Sequence, residues 1–262
     1  MCRWIAYRGR PTYLETLVSA PAHSLVAQSL RAGEAKSATN GDGFGIGWYG
    51  LREEPGLYRE IRPAWSDENL RSLCSQVRSR LFFAHVRAST GAAIARANCH
   101  PFVHGPHMFM HNGQIGGFHR IKRRIEALIP DALYADRSGA TDSEALFLAL
   151  MGRGLGGGVV AAVAALLVDV VQLMRQAGIA EPLRFTAALT DGRDVHAFRW
   201  ASDDRAPSLY WREDGGDLVI VSEPLDDARG QWREVPKGCA MVARHGRPVE
   251  MACLNAAMQA AA

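Results

Sequence analysis

The order of the apolar segments restricts the fold of this chain. Short segments rich in aromatic and branched residues come first, at residues 2–7, 44–50, 81–87 and 107–111. Helical patterns fill the middle. Five more strand-like segments follow, at residues 183–190, 194–201, 218–222, 239–244 and 248–253. Because no Pro- or Ser-rich linker divides this series, we predict one α+β domain over residues 1–262, with its layers packed on each other.

Three helices are predicted between the two groups of strands. Residues 118–129 place Phe and Ile or Leu at three- and four-residue spacing, which is typical of one buried helix face. Thr141-Asp-Ser-Glu144 has the form of a capping box and predicts a helix start. The third helix spans residues 159–177. Its uninterrupted apolar run, residues 159–168, is shorter than the ~20 residues that span a bilayer, so we expect a buried helix and no membrane partner.

Composition excludes some functions. With 30 Lys and Arg against 27 Asp and Glu, the net charge of +3 gives no sign of a nucleic-acid partner. The five cysteines, at positions 2, 74, 99, 239 and 253, include no closely spaced pair of the kind that holds zinc. We therefore expect a reduced, cytoplasmic setting and no metal or other cofactor.

Cys2 is the first candidate for catalysis. Removal of Met1 would leave a residue that carries a thiol and a free α-amine together. Both groups have ordinary pKa values near ~8, so the amine can take the thiol proton at neutral pH without a catalytic histidine. The alternative is a small buried residue at the start of the first strand.

Four more residues have chemistry suited to acyl transfer from an amide, which needs oxyanion donors and substrate anchors. Asn112 and Gly113 offer a side-chain and a backbone N–H, although Asn-Gly is also the commonest tight turn. Arg87 ends an apolar strand and could bind a carboxylate or form a surface ion pair. Asp142 could bind an ammonium group or favour the helix dipole.

Six motifs in this chain occur together in one known family. They are Met1-Cys-Arg3, Asn40-Gly-Asp-Gly-Phe-Gly-Ile-Gly-Trp-Tyr49, His85-Val-Arg-Ala-Ser-Thr90, Asn98-Cys-His-Pro-Phe102, Met110-His-Asn-Gly113 and Thr141-Asp-Ser-Glu144. In this order they resemble the class II glutamine amidotransferases, which are N-terminal-nucleophile (Ntn) hydrolases. Within that family the chain is similar to stand-alone members, such as the amidotransferase-like subunit of the fungal glutathione-degradation complex and the γ-glutamyl hydrolase of ergothioneine biosynthesis.

The resemblance implies a fold, a set of roles and partners. The fold is a four-layer αββα sandwich of two antiparallel sheets. Cys2 is the nucleophile, and Asn112 and Gly113 form the oxyanion hole. Arg87 binds the substrate α-carboxylate, Asp142 binds the α-ammonium, and Ser89 and Thr90 are further substrate-binding residues. A metallopeptidase-like protein or an ammonia-accepting protein is the implied partner. Ala88 departs from the family, since synthase-linked relatives carry an aromatic residue there.

The predicted function is hydrolysis of a γ-glutamyl amide through a γ-glutamyl thioester, which releases glutamate. The motifs leave open whether the substrate is glutamine or a γ-glutamyl peptide such as glutathione, because both present the same glutamyl end. Two alternatives remain. The chain could be a non-catalytic or partner-dependent subunit of a complex that degrades γ-glutamyl peptides, or a metal-binding protein that uses His100, His104, His107 and His111.

Overall fold

The computed structural model describes residues 2–33, 39–89 and 93–262. In these residues it contains thirteen strands. In chain order they are β1 (Arg3–Tyr13), β2 (Phe44–Trp48), β3 (Gly56–Glu60), β4 (Arg78–Val86), β5 (Phe102–His104), β6 (His107–Gln114), β7 (Arg184–Thr190), β8 (Val195–Ala201), β9 (Tyr210–Asp214), β10 (Asp217–Val221), β11 (Arg233–Glu234), β12 (Cys239–Ala243) and β13 (Glu250–Cys253). All their pairings are antiparallel, in a seven-stranded sheet of order β11-β9-β10-β1-β4-β2-β3 and a six-stranded sheet of order β13-β12-β8-β7-β6-β5.

Eight α-helices accompany these strands in the described part of the chain. They are α1 (Glu15–Val18), α2 (Leu25–Leu30), α3 (Glu68–Gln76), α4 (Phe118–Glu126), α5 (Asp131–Tyr134), α6 (Asp142–Gly152), α7 (Val159–Gln176) and α8 (Leu254–Ala261). Helices α1 to α3 share a hydrophobic cluster with the seven-stranded sheet. Helices α4, α6, α7 and α8 share another with the six-stranded sheet. A third cluster fills the space between the two sheets.

These layers arise because successive apolar side chains of a strand alternate between its two faces. In β1, Trp4 and Ala6 lie in the cluster between the sheets, whereas Ile5 and Tyr7 lie in the cluster beneath α1 to α3. Successive strand residues point to opposite faces, so a strand that is apolar at every position is buried on both sides. The predicted four-layer αββα sandwich is therefore confirmed, with helices outside and two sheets packed on each other inside.

The structure adds elements that the sequence analysis did not identify. Between β1 and β2 the structure has two short helices, α1 and α2. Strands β3, β5, β9 and β11 and helices α3 and α8 were also not predicted. The residues of α3 are largely polar, and only Leu70 and Cys74 of that helix are buried. A helix with so few buried positions gives a weak periodic signal.

Helix α7 is long and apolar enough to cross a membrane if length and composition alone are considered. Six of its residues are buried in the cluster over the six-stranded sheet: Val163, Ala164, Leu166, Leu167, Val170 and Met174. Burial of an apolar stripe against a sheet explains this composition without a bilayer. In this fold α7 is a core helix, as its short apolar run predicts.

Candidate active site

The start of β1 and the end of β4 lie side by side because the two strands are antiparallel. Arg3 pairs with Val86, which brings Cys2 next to the segment that leaves β4. The Cys2 Sγ lies 3.5 Å from the Ala88 backbone nitrogen and 3.6 Å from the Ala88 backbone oxygen. The predicted nucleophile therefore contacts the residue that follows the predicted carboxylate anchor, Arg87.

The surroundings of the Cys2 thiol have opposing effects on its acidity. Burial has the largest effect and raises the pKa of the thiol above its ordinary value. The backbone N–H of Ala88 and the positive charges of Arg87 and Arg3 act in the other direction. Because burial dominates, the thiol is protonated at neutral pH and needs a base before it can attack a carbonyl.

Arg87 belongs to a hydrogen-bonded group at the end of β4. Its side chain is buried, with Nη1 3.4 Å from the Asp42 carbonyl oxygen and Nη2 3.1 Å from the Ser89 Oγ. The Asp42 carboxylate accepts a 2.7 Å hydrogen bond from the Ser89 backbone nitrogen. The Ser89 hydroxyl thus lies against the Arg87 side chain, while the substrate-binding role of Ser89 stays a prediction. Thr90, the other predicted residue of this segment, lies outside the described residues.

The sequence analysis did not name Asp42 as a site residue. The available signal was its position in Asn40-Gly-Asp-Gly43, a segment whose glycines indicate close backbone approach. Gly43 has φ +110°, and a Cβ on it would lie 2.7 Å from the Cys99 Sγ. This turn delivers Asp42 to the loop that follows Arg87.

Asn112 and Gly113 lie inside β6, paired with Thr186 and Phe185 of β7. The alternative that they form a tight turn is therefore wrong. Asn112 is 1% exposed, and its Nδ2 has no hydrogen-bond partner in the part of the chain that the structure describes. A buried donor without an acceptor costs free energy, so such atoms often mark a place where a ligand binds.

Gly113 also has a structural reason to be glycine. A Cβ on it would lie 1.9 Å from the Arg184 carbonyl oxygen and 2.5 Å from the His111 Nε2. Neither the backbone of β7 nor the buried His111 ring can move away easily. Glycine at this position therefore allows β6 and β7 to approach, whatever its backbone N–H does in catalysis.

Asp142 is the first residue of α6, and its carboxylate is tied to the end of β6. Its Oδ2 accepts a 2.8 Å hydrogen bond from the Ile115 backbone nitrogen, and its Oδ1 accepts a 2.8 Å bond from the Ser143 backbone nitrogen. Ile115 lies only two residues beyond Gly113. The structure thus places Asp142 and the Asn112-Gly113 pair on one local support, while the substrate-binding role of Asp142 stays a prediction.

Three buried histidines connect these two groups of residues. The rings of His85 and His100 lie 4.2 Å apart between centroids, and the backbone of His111 adjoins His85. His111 is itself held by Ser143, whose Oγ lies 2.8 Å from its Nδ1. Burial lowers the pKa of all three, that of His85 to about 3, so the rings are neutral at physiological pH.

The histidines of the metal-binding alternative do not come together. His100 and His111 are buried, whereas His104 pairs at the surface with Asp136 at 3.1 Å. Across residues 2–33, 39–89 and 93–262, no three His, Cys, Asp or Glu side chains are grouped so that they could hold a metal ion. The described geometry gives no support to that alternative.

Comparison with known proteins gives one family. The profile of the class II glutamine amidotransferases matches residues 17–206. The chain is 34% identical to the probable glutamine amidotransferase DUG3 of Saccharomyces cerevisiae, over 90% of this chain and 80% of that protein. It is 29% identical to the γ-glutamyl-hercynylcysteine sulfoxide hydrolase of Mycolicibacterium smegmatis, over 90% and 92% of the two chains. A solved structure, the glutamine aminotransferase class-II domain protein of Silicibacter pomeroyi, matches with a TM-score of 0.75 at 33% identity, over 96% of this chain and 99% of that one.

Proposed function

The chain belongs to the class II glutamine amidotransferases and is an enzyme of that kind, and from this premise we propose that it hydrolyses a γ-glutamyl amide bond with Cys2 as an N-terminal nucleophile. The observation that carries the proposal is the position of the Cys2 sulfur against Ala88, at the junction where β1 begins and β4 ends. Arg87 immediately precedes this contact. A thiol and a guanidinium on neighbouring segments are what attack on a substrate held by its carboxylate requires.

The first step needs a free amine on Cys2. Once an aminopeptidase removes Met1, the α-amine can accept the proton of the thiol, whose raised pKa makes such a base necessary. The sulfur then bonds to the γ-carbonyl carbon, and the carbonyl π electrons move onto oxygen. Collapse of this adduct breaks the C–N bond, and the proton held by the α-amine passes to the leaving amine.

The roles of the other residues follow from their chemistry. The unpartnered Asn112 Nδ2 and the Gly113 N–H would donate to the oxyanion of the tetrahedral adduct. Arg87, held by Ser89 and Asp42, would bind the α-carboxylate of the glutamyl group, and Asp142 would bind its ammonium. Water then attacks the γ-glutamyl thioester, which releases glutamate and restores the thiol.

The leaving amine distinguishes two substrate classes. With glutamine it is ammonia, which a partner protein could accept. With a γ-glutamyl peptide it is a larger amine. The names of the two relatives support both readings, since one is a probable glutamine amidotransferase and the other a γ-glutamyl hydrolase.

The test begins with mass spectrometry of the purified N-terminus, followed by parallel assays with glutamine and glutathione. We expect glutamate release by the form that lacks Met1, and no release by Cys2→Ala. Cys253→Ala, which changes an exposed cysteine far along the chain, is the matched control and should keep full activity. Rapid acid quenching should trap the mass of one glutamyl residue on the N-terminal peptide.

Two results would oppose the proposal. Normal turnover by Cys2→Ala would exclude Cys2 as the nucleophile. A correctly trimmed chain that hydrolyses neither substrate would favour the alternative of a partner-dependent subunit, and the same assays repeated with a metallopeptidase-like partner would then be the next measurement.

A further inference from the structure

A basic cavity of about 420 Å³ lies at the end of the sheets away from Cys2. Its lining includes four arginines and one histidine: Arg8, Arg10, Arg80, Arg193 and His245. Arg8 follows Cys2 by six residues along β1, which corresponds to roughly 20 Å of extended strand. We propose that this cavity binds a small organic phosphate, at a site separate from the candidate active site.

The charge balance of the cavity supports an anionic ligand. Among the residues that the structure describes, none of those lining the cavity carries a carboxylate. Asp217 neutralises Arg10 through a 2.6 Å contact to Nη2. Arg80 and Arg193, in contrast, form no ion pair with any residue that the structure describes. At least two guanidinium groups therefore border the same cavity without a counter-ion in the described part of the chain.

Arg8 contributes a third cation from deeper in the fold. It is half-buried, and its Nη1 donates a 2.8 Å hydrogen bond to the Ala243 carbonyl oxygen in the other sheet. Asp194 and Glu213 act on it only through their more distant charges. An anion in the cavity would stabilise this guanidinium, because a partly desolvated charge gains more from a counter-ion than an exposed one does.

The hairpin turns around the cavity contain glycines, which place no side chain in it. Gly192, Gly216 and Gly246 have φ of +87°, +88° and +70°, values that L side chains rarely adopt. The nearby carboxylates point to the backbone: Asp191 accepts from the Arg193 nitrogen, and Asp194 from the His245 nitrogen. The turns thus bring arginines to the rim, and the acidic residues of the turns accept hydrogen bonds from backbone nitrogens of these turns.

The chemistry of the ligand follows from these groups. Arginine forks match the oxygens of a phosphate and bind it with paired hydrogen bonds. The volume lies within the range of ordinary small-molecule sites, roughly 300–1,000 Å³. A phosphate on a small organic group fits both the charge and the size.

The test compares two double variants with equal charge changes. R80Q/R193Q removes the two arginines that lack an ion pair, and R123Q/R124Q removes two exposed arginines of α4 as the matched control. Inorganic phosphate and ribose 5-phosphate are titrated calorimetrically at constant ionic strength, with ribose as the uncharged probe. We expect saturable binding of both phosphates to the parent and the control, at least ten-fold weaker binding to R80Q/R193Q, and none of ribose. No saturable binding to the parent, or equal affinity in R80Q/R193Q and the control, would overturn the proposal.

A second, independent observation concerns Cys239 and Cys253, which face each other across β12 and β13. The neighbouring pair Gly238 and Leu254 is joined by a 2.8 Å hydrogen bond from the Leu254 nitrogen to the Gly238 oxygen. Because bonded and non-bonded pairs alternate in an antiparallel ladder, the cysteines occupy a non-hydrogen-bonded pair, where Cα atoms lie about 4.5 Å apart. That spacing falls within the range of disulfides.

We infer that these two cysteines form a reversible disulfide when a low-molecular-weight disulfide oxidises them. Cys253 is exposed, so its thiolate reacts first. It attacks one sulfur of glutathione disulfide, which forms a mixed disulfide and releases one glutathione thiolate. Cys239 loses its proton to solvent and attacks the Cys253 sulfur, which releases the second thiolate. The cysteine pair loses two electrons, and one glutathione disulfide becomes two glutathiones.

Peptide mass spectrometry without reductant tests this inference. After incubation with glutathione disulfide, we expect a crosslinked peptide pair containing Cys239 and Cys253, which disappears on reduction. In C239S the mixed disulfide at Cys253 should persist, and in C253S no crosslink should form. A stable mixed disulfide at Cys253 of the parent chain, with Cys239 still reduced, would show that the two sulfurs cannot meet.

Discussion

Arg3 holds a positive charge directly behind the candidate nucleophile. It is completely buried, and its Nε lies 2.8 Å from the Glu223 Oε2. Its Nη1 donates a 3.1 Å hydrogen bond to the Cys2 carbonyl oxygen. Glu223 also accepts from the Gly33 nitrogen at 2.7 Å. One ion pair thus fixes the backbone of Cys2 and the loop that includes Gly33.

Replacing Glu223 by Gln tests how much this ion pair contributes to the free energy of unfolding. The change leaves the Arg3 charge buried beside a neutral group, and we expect the free energy of unfolding to fall by about 3 kcal/mol. Chemical denaturation provides the measurement. Arg3→Met combined with Glu223→Gln should recover part of that loss, since the double variant no longer buries an unpaired charge. A single variant as stable as the parent would contradict the expectation.

Asn112 allows activity and stability to be separated. In Asn112→Leu the oxyanion donor is lost, so we expect kcat to fall by about 100- to 1,000-fold with little change in KM. Stability should stay the same or rise, because the lost Nδ2 has no partner in the described structure.

Asn98→Leu is the matched control for this change. Asn98 is equally buried, but its side chain bonds to Ala93 and Ala140 at 2.8 Å each, so the control should lose stability. Steady-state kinetics and chemical denaturation measure the two effects. If Asn112→Leu were the less stable of the two variants, Asn112 would have a structural role instead.

Among the helices, α6 forms only part of the capping box that its sequence predicts. The Thr141 Oγ1 accepts a 3.2 Å hydrogen bond from the Glu144 nitrogen, as a capping box requires. The Glu144 carboxylate does not return to Thr141. It accepts bonds from the backbone nitrogens of Ser138 and Gly139 and lies 3.6 Å from Arg137. The helix start is therefore joined to the preceding loop.

Thr141→Ala should lower the free energy of unfolding by about 1 kcal/mol, because the Glu144 N–H loses its acceptor at the helix start. Thr141→Ser keeps the hydroxyl and should retain most of that stability. Urea denaturation of the three proteins measures the difference. Equal losses in the Ala and Ser variants would assign the effect to the threonine methyl group.

Most elements that the sequence could predict are buried, although the exposed edge strand β13 was predicted as well. Strands β1, β4 and β6 carry apolar residues on both faces and lie inside their sheets, so their segments stand out along the chain. Strand β3 contains a glycine and two charged residues, and it lies at a sheet edge, where one side needs no partner. Its pairing with β2 is set by contacts that no local pattern records.

The residues of the candidate site likewise differ in how much the sequence can predict about them. Cys2, Arg87, Asn112 and Asp142 each belong to a short motif, so the sequence could indicate them. The supporting residues Asp42, His85 and His100 lie in such motifs as well, but the motifs do not indicate which residues they contact. Asp42 accepts a hydrogen bond from the backbone of Ser89, 47 positions later, and the His100 ring packs at a tilt against the His85 ring. Such contacts arise when distant strands pair, and one sequence contains no record of them.

Across the whole molecule, the stability of the two packed sheets depends on pH through three buried histidines. His85 lies in the seven-stranded sheet, His111 in the six-stranded sheet, and His100 in the segment before β5. All three are almost completely buried. The charge of Arg87 adds to the effect of burial on His85 and His100 and lowers their pKa further. The folded protein therefore resists protonation at its centre.

This arrangement makes stability depend on pH in a defined direction. The folded pKa values lie below the unfolded value of about 6.5, so the unfolded chain binds more protons as the pH falls. The histidine contribution is complete above pH ~6.5 and is lost as the pH drops toward the folded values, which for His85 is about 3. Each histidine should contribute up to about 1.4 kcal/mol per pH unit in this window.

His100→Phe isolates one of these contributions. The ring lies between His85 and Phe102, so an aromatic replacement preserves the packing and removes one titrating group. Guanidinium denaturation at pH 7.5, 6.5 and 5.5 should show a loss of stability in the parent, and a total loss across these two pH units that is smaller by about 1.4 kcal/mol in the variant. His245→Gln changes an exposed histidine and should keep the parent slope. An unchanged slope in His100→Phe would mean that His100 takes up no extra proton on unfolding, and that the cluster is not the source of acid sensitivity.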